Sequence, residues 1–102
     1  VIATDASLSV AQAQKVAQMA HDGMARAIRP AHTMFDGDTI FCLATGKKEL
    51  PAQHEMFMDP QALFLNELAD AAANCMSRAI IHAVLDAGSL AGMIAFGDLE
   101  DL

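Results

Sequence analysis

The first third of the chain pairs a short apolar run with a long segment of helical periodicity. Residues 1–3 are apolar and include two β-branched side chains, which predicts a strand, and residues 4–9 then turn the chain. Ser9-Val10-Ala11-Gln12 has the spacing of a capping box, and apolar residues recur after it at helical spacing. We therefore predict a helix over 10–28, ended by Pro30 because proline disfavours helical geometry at the residue before it.

A second apolar run, residues 39–45, is continuous at its centre rather than alternating. The turn formers Asp36-Gly37-Asp38 precede it and Gly46 follows it, so the run predicts a strand. Strands that alternate usually have one wet face, whereas a continuous apolar strand is covered on both. We therefore expect both faces to be buried, as in a layered α/β sandwich, with residues 47–58 as an exposed connection.

Two features of the predicted helices indicate close packing. Asp59-Pro60 is a strong helix start, and Gly88 is a matching stop signal, which predicts a helix over 60–87. Apolar residues surround much of this helix, so it needs partners on more than one side. In the first helix, Gly23 costs about 1 kcal/mol relative to alanine, which predicts a close crossing with another element.

Composition strengthens the case for partners. The chain has 102 residues, which allows one domain, and 54% of them are hydrophobic, including 21 alanines but no tryptophan or tyrosine. A folded monomer of 10.8 kDa exposes about 5,500 Å². So much apolar material is difficult to bury in a chain of this size, and it favours close-packed helices and subunit contacts.

Charge and cysteine usage exclude several classes of protein. A net charge of −7 opposes binding to nucleic acid and to anionic membranes. Arg78, His82 and Asp86 interrupt the most apolar helix, so we predict no membrane span, and the sequence does not begin with a signal-like segment. Cys42 and Cys75 lie in apolar segments without CxxC spacing, which predicts free, buried thiols and a reducing, cytoplasmic compartment.

The candidate chemistry centres on Asp36-Gly37-Asp38, where two carboxylates could share a proton or hold an ammonium group. The same pattern is also a common turn, so the residues alone leave both interpretations open. His32 could join the two carboxylates as a metal ligand, but the spacing matches no known site, and we predict no metal or cofactor.

Either cysteine could be a nucleophile, although apolar neighbours raise the pKa of a thiol. His21, His54 and His82 lack partners at ligand spacing, so we expect ordinary hydrogen-bonded or exposed histidines.

An ordered set of these residues resembles a known family. The segments that carry the resemblance are 1–6 (VIATDA), 21–30 (HDGMARAIRP), 32–33 (HT), 35–41 (FDGDTIF) and 44–46 (ATG). They are similar to the small, C-terminal β subunit of the L-aminopeptidase/D-esterase family. Within that family, residues 25–46 are most similar to the nylon-oligomer (6-aminohexanoate) hydrolases and related bacterial peptidases. The match is detailed over the first half of the chain and extends to the second half only in layout.

The resemblance implies a fold and an activity. The expected fold is α/β, part of a four-layer α/β/β/α sandwich completed by an α subunit, and the αβ units form a higher homo-oligomer. Residues 1–102 would be a single β-subunit segment, the C-terminal part of an autocleaved precursor. The expected activity is that of an N-terminal-nucleophile peptidase or amidase, which acts on N-terminal residues of short peptides, amides or ω-amino-acid oligomers through an acyl-enzyme.

The resemblance also implies roles for individual residues. The nucleophile would be a Thr or Ser just before Val1, outside this sequence, because Thr4 matches an internal threonine of the family. Asp36 and Asp38 match an acidic pair that lies beside the nucleophile and interacts with its amino group, where other branches carry Ser and Glu. A carboxylate stabilises a nearby ammonium, and a shared proton can move between them. Oxyanion donors would come from the α subunit.

Two alternative functions stay open at this level. The chain could belong to an acyltransferase of the ornithine acetyltransferase type, in which an amine instead of water resolves the acyl-enzyme. It could also be a non-catalytic subunit or interaction module, in which Asp36-Gly37-Asp38 is only a turn.

Overall fold

A computed structural model describes residues 1–51 and 59–99 and has a mixed α/β architecture. Its elements in chain order are β1 (Ile2–Ala6), α1 (Val10–Ala27), β2 (Cys42–Lys48), α2 (Pro60–Asp86) and a short 3-10 helix (Phe96–Asp98). The two strands are adjacent and parallel. Helix α1 makes the crossover that parallel pairing requires, so the first half of the chain is a βαβ unit.

Both helices begin as the sequence predicts. The Ser9 hydroxyl accepts from the Gln12 amide at 3.2 Å, and the Gln12 side chain accepts from the Ser9 amide at 2.8 Å, which completes the capping box. The Asp59 carboxylate accepts from the Gln61 amide at 2.9 Å at the start of α2. Helix α2 ends with Ala87 as an extended C-cap, so the glycine after it is not the cap that we predicted.

The strands differ from the predicted ones in their bounds. β1 continues to Ala6, where the sequence indicated a turn. β2 begins at Cys42 instead of Thr39 and passes through Gly46, which adopts a left-handed φ of 74°. The ladder shifts register between Thr4 and Ala6, and a glycine at this irregularity lets the strand bend and continue. Gly46 therefore marks a bulge, not the end of the strand.

The predicted close crossing at Gly23 is confirmed. A Cβ added to Gly23 would lie 1.9 Å from the carbonyl oxygen of Ala73, so the backbones of α1 and α2 touch at this point. Small buried residues surround the crossing; they are Val16, Ala17 and Ala20 of α1 with Ala69, Ala72 and Ala73 of α2. Beside them the Arg26 guanidinium donates to the Asn74 side-chain oxygen at 3.0 Å. Only small side chains allow helices to pack this closely.

Within the described residues of this chain the sheet is covered on one face, and the second cover that we expect from a layered sandwich stays a prediction. Ile2 and Ile40 are buried toward the helices, whereas Phe41 and Leu43 are 67% and 59% exposed. Cys75 is likewise exposed on α2, although the sequence predicted a buried thiol, and both cysteines are free. The apolar residues at the start of β2 are thus only partly covered by the described residues of this chain.

The chain is also more extended than a compact monomer of its mass. The accessible surface is 7746 Å², about 40% more than the roughly 5,500 Å² of a folded monomer of this mass. The radius of gyration is 17.4 Å, whereas a compact chain of this length has about 13 Å. Among the described residues, no helix is long and apolar enough to cross a membrane.

Candidate active site

The acidic pair lies in the segment between α1 and β2, residues 28–41, which we term the acidic loop. The Ile2 amide donates to the Phe41 carbonyl at 2.8 Å, so the loop joins β2 directly beside the start of β1. Because the strands are parallel, both begin at the same edge of the sheet. The acidic loop therefore lies at the edge where β1 starts.

Asp36 forms hydrogen bonds with Thr33 within the acidic loop. Its Oδ2 accepts from the Thr33 amide at 2.8 Å, and its amide donates to the Thr33 carbonyl at 3.1 Å. The backbone hydrogen bond from Thr33, the Thr33 hydroxyl and the nearby charge of His32 hold the pKa of Asp36 below its usual range. Asp36 is thus an ionised carboxylate that fixes the turn.

Asp38 has a different partner. Its Oδ2 lies 2.6 Å from Nδ1 of His32, and its side chain is 24% exposed. His32 has a left-handed φ of 59°, and its ring lies 4.9 Å from the ring of His21 on α1, measured between centroids. Within the described part of the chain, Nδ1 of His21 is buried without a hydrogen-bond partner. The loop histidine is therefore held between α1 and the second carboxylate.

The structure separates the site interpretations that the sequence left open. His32 contacts the Asp38 carboxylate, whereas the Asp36 carboxylate accepts a hydrogen bond from the Thr33 amide. Among residues 1–51 and 59–99, no group of three metal-ligating side chains forms. Burial raises the pKa of the Cys42 thiol, which opposes a role as nucleophile. His54 lies outside the described residues.

The sequence did not predict the pairing of His32 with Asp38 or the contact between the His21 and His32 rings. Six residues separate His32 from Asp38, and no sequence motif specifies a contact across a loop of irregular backbone. The only local signal was that both residues fall within one loop between two predicted elements.

An open groove runs along β1 on the side away from β2. It has a volume of about 350 Å³ and is lined by residues 1–4 and by apolar side chains of α2, among them Leu68, Ala72, Cys75 and Met76. The strand order is β1-β2, so β1 has a free edge. The groove therefore lies between β1 and helix α2.

Comparison with known proteins identifies the family. Residues 1–95 match the model of peptidase family S58, and the chain belongs to that family. A protein named as an uncharacterised aminopeptidase of Mycobacterium leprae is 50% identical over 95 residues, which are 91% of this chain and 26% of the relative. Another, from Mycobacterium tuberculosis, is 44% identical over 101 residues, 97% of this chain and 29% of the relative.

The nylon-oligomer hydrolases also appear among the relatives. A 6-aminohexanoate-oligomer endohydrolase of Paenarthrobacter ureafaciens is 38% identical over 50 residues, which are 49% of this chain and 14% of the relative. The resemblance read from the sequence is therefore confirmed at the level of family. The chain spans 26% to 29% of the length of the mycobacterial relatives.

Proposed function

We propose that this chain is the small, C-terminal part of a self-processing peptidase or amidase. The enzyme removes N-terminal residues from short peptides, amides or ω-amino-acid oligomers. Membership of peptidase family S58 and relatives named as aminopeptidases and as an oligomer endohydrolase support a hydrolase. The single observation that carries the assignment to this site is the position of Asp36 and Asp38 at the edge where β1 begins.

The sheet register indicates how far before Val1 a residue would lie beside Asp38. Ile2 pairs with Cys42, so Asp38 lies four residues before the partner of Ile2. A strand advances about 3.3 Å per residue, so a residue a few positions before Val1 would lie roughly level with Asp38 if β1 extended backwards and residues 38–41 ran alongside it in an extended course. A Thr or Ser placed there would bring its α-amino group to the acidic loop.

The chemistry then divides between the nucleophile and the two carboxylates. The hydroxyl attacks the substrate carbonyl, the α-amine accepts the hydroxyl proton, and the leaving amine departs with a proton as the acyl-enzyme forms. Water hydrolyses this ester and regenerates the hydroxyl. An α-amine titrates near pH ~8, so it is partly neutral at working pH. Asp36 supplies a fixed negative charge, and Asp38 is the carboxylate placed to accept from the amine.

The exposed apolar surfaces support the proposal of a larger partner chain from the same precursor. Phe41 and Leu43 are exposed at the start of β2, the groove along β1 is lined mainly by apolar side chains, and a further strand and sheet layer would cover them. The surplus surface of roughly 2,200 Å² exceeds the ~800 Å² that each partner buries in a standard interface. An α subunit that completes a four-layer sandwich fits these surfaces, and oligomers of αβ units would build on that sandwich.

The test is hydrolysis by the full-length protein carrying Asp36→Asn or Asp38→Asn. We expect each change to lower the rate on amino-acid p-nitroanilides by about 100-fold or more, since the amine loses a charged partner, with little change in the unfolding midpoint. Asp22→Asn, an exposed aspartate on α1, is the matched control and should keep wild-type rates.

Wild-type rates in both loop variants would contradict the assignment. The same preparations should be offered an acetylated donor and glutamate as acceptor. Acetyl transfer faster than hydrolysis would replace the proposal with the acyltransferase. Absence of both reactions from a correctly folded full-length protein would favour a non-catalytic subunit.

A further inference from the structure

The contact between His32 and Asp38 has no role in the function proposed so far. The distance of 2.6 Å between Nδ1 and Oδ2 is short for a nitrogen donor and a carboxylate oxygen, as in charge-assisted hydrogen bonds. Both side chains are only partly exposed, at 41% for His32 and 24% for Asp38. The contact closes the acidic loop across its turn and uses one oxygen of the carboxylate.

His32 is itself fixed from two directions. Its φ of 59° is unusual for a residue other than glycine and persists only where the surroundings hold it. Its ring also lies beside the ring of His21, with the centroids 4.9 Å apart and the planes tilted by 57°. The imidazole therefore links α1 to the acidic loop in a defined orientation.

The carboxylate of Asp36 is held in a different way from that of Asp38. Its carboxylate is held by the backbone amide of Thr33, three residues away, and that contact stays within the turn. Asp38 comes one residue before the run that leads into β2 and makes no such backbone contact among the described residues. Its orientation depends on a side chain from the other end of the loop.

Resting on the proposed function, we infer that His32 is a positioning residue for Asp38. The imidazole donates to Oδ2 and turns the carboxylate so that Oδ1 faces the position of the nucleophile's amino group. His21 supports the imidazole from α1. His32 touches neither substrate nor nucleophile in this arrangement, so its effect on catalysis passes through Asp38.

The test compares two substitutions that suit the left-handed backbone equally but differ in the donor. Asparagine accepts this φ and places its side-chain amide where Nδ1 of histidine lies, whereas glycine accepts the φ and has no donor. In the full-length protein we expect His32→Gly to lower kcat by about 10- to 100-fold with KM changed by less than about 3-fold, because a misplaced group loses rate. His32→Asn should stay within about 3-fold of wild type.

A double variant shows whether the effect passes through Asp38. If it does, His32→Gly combined with Asp38→Asn should be no slower than Asp38→Asn alone, because the carboxylate to be positioned is already gone. Multiplying losses would overturn the inference, as would equal activity of His32→Gly and wild type. If His32→Gly does not fold, His32→Asn is compared instead with His32→Ala, which is neutral and also lacks a donor.

The outcomes also separate this inference from the proposed function. A large loss in Asp38→Asn together with normal rates in His32→Gly would leave the function in place and remove the positioning role. Normal rates in Asp38→Asn alone would remove the role of Asp38 and with it the positioning role, and normal rates in both Asp36→Asn and Asp38→Asn would remove the proposed function itself.

Discussion

The helix crossing and the acidic loop are held in place by different physical means. At the crossing, the backbone of α1 at Gly23 touches the backbone of α2 at Ala73, and buried alanines fill the surroundings. In the loop, Asp36 and Asp38 are held by hydrogen bonds to Thr33 and His32, whose side chains are at least partly exposed to water. The first region fixes the scaffold, and the second adjusts the direction of two carboxylates. We therefore expect changes at the crossing to affect stability, and changes in the loop to affect activity.

The largest stability effect should come from a methyl group at the crossing. Gly23→Ala places Cβ 1.9 Å from a backbone oxygen that cannot rotate away. Overpacking of this kind should cost about 3 kcal/mol of unfolding free energy, more than the ~1 kcal/mol that alanine gains in helix propensity. Chemical unfolding of the full-length protein measures the difference.

Gly37→Ala is the matched change in the acidic loop. No heavy atom lies within 4 Å of an added Cβ, and the backbone of Gly37 is outside the left-handed region. The unfolding free energy should therefore change by no more than about 0.5 kcal/mol. Equal losses at the two glycines would contradict the contrast between the regions.

How much of this contrast was predictable depends on how local each cause is. The capping box at Ser9 and the start at Asp59 were predictable because each involves residues within three positions. Gly23 was informative because glycine is costly inside a helix and needs a tertiary reason. The course of β2 through Gly46 was not predictable, since the bulge depends on the register with β1.

For the candidate site, the sequence supplied the residue types but not their geometry. Asp36 and Asp38 were singled out from their residue types and from the family resemblance, and their role stays a prediction. Their partners were not foreseen, because His32 reaches Asp38 only through a left-handed backbone in an irregular loop. The exposure of Phe41 and Leu43 in this chain was not foreseen, because an apolar run does not reveal whether its cover comes from the same chain.

A smaller effect should come from the polar contact beside the crossing. Arg26→Ala removes the hydrogen bond to Asn74, which is exposed, so we expect a loss of about 0.5–1 kcal/mol. Asn74→Ala should cost a similar amount, and the double variant should show that the two losses are not additive. Arg78→Ala removes an exposed arginine of α2 as the control and should stay within about 0.5 kcal/mol. Full additivity would show that the contact contributes nothing.

The smallest effect concerns pH in the loop. Because the pKa of Asp36 is lowered on folding, its contribution to stability is complete above the pKa of the unfolded chain and is lost as pH falls through the folded pKa. The amide chemical shift of Thr33 should therefore titrate with a midpoint below the ordinary aspartate value of about 3.9. A midpoint above that value would contradict the hydrogen bond between the Thr33 amide and the carboxylate.

The central claim, that this chain is the processed small part of a larger hydrolase, is tested most directly by the intact mass of the purified natural protein. The account predicts two chains from one precursor: a larger one, and a smaller one that begins with Thr or Ser a few residues before Val1. A single uncleaved polypeptide, or a small chain whose encoded start lies near Val1, would contradict it.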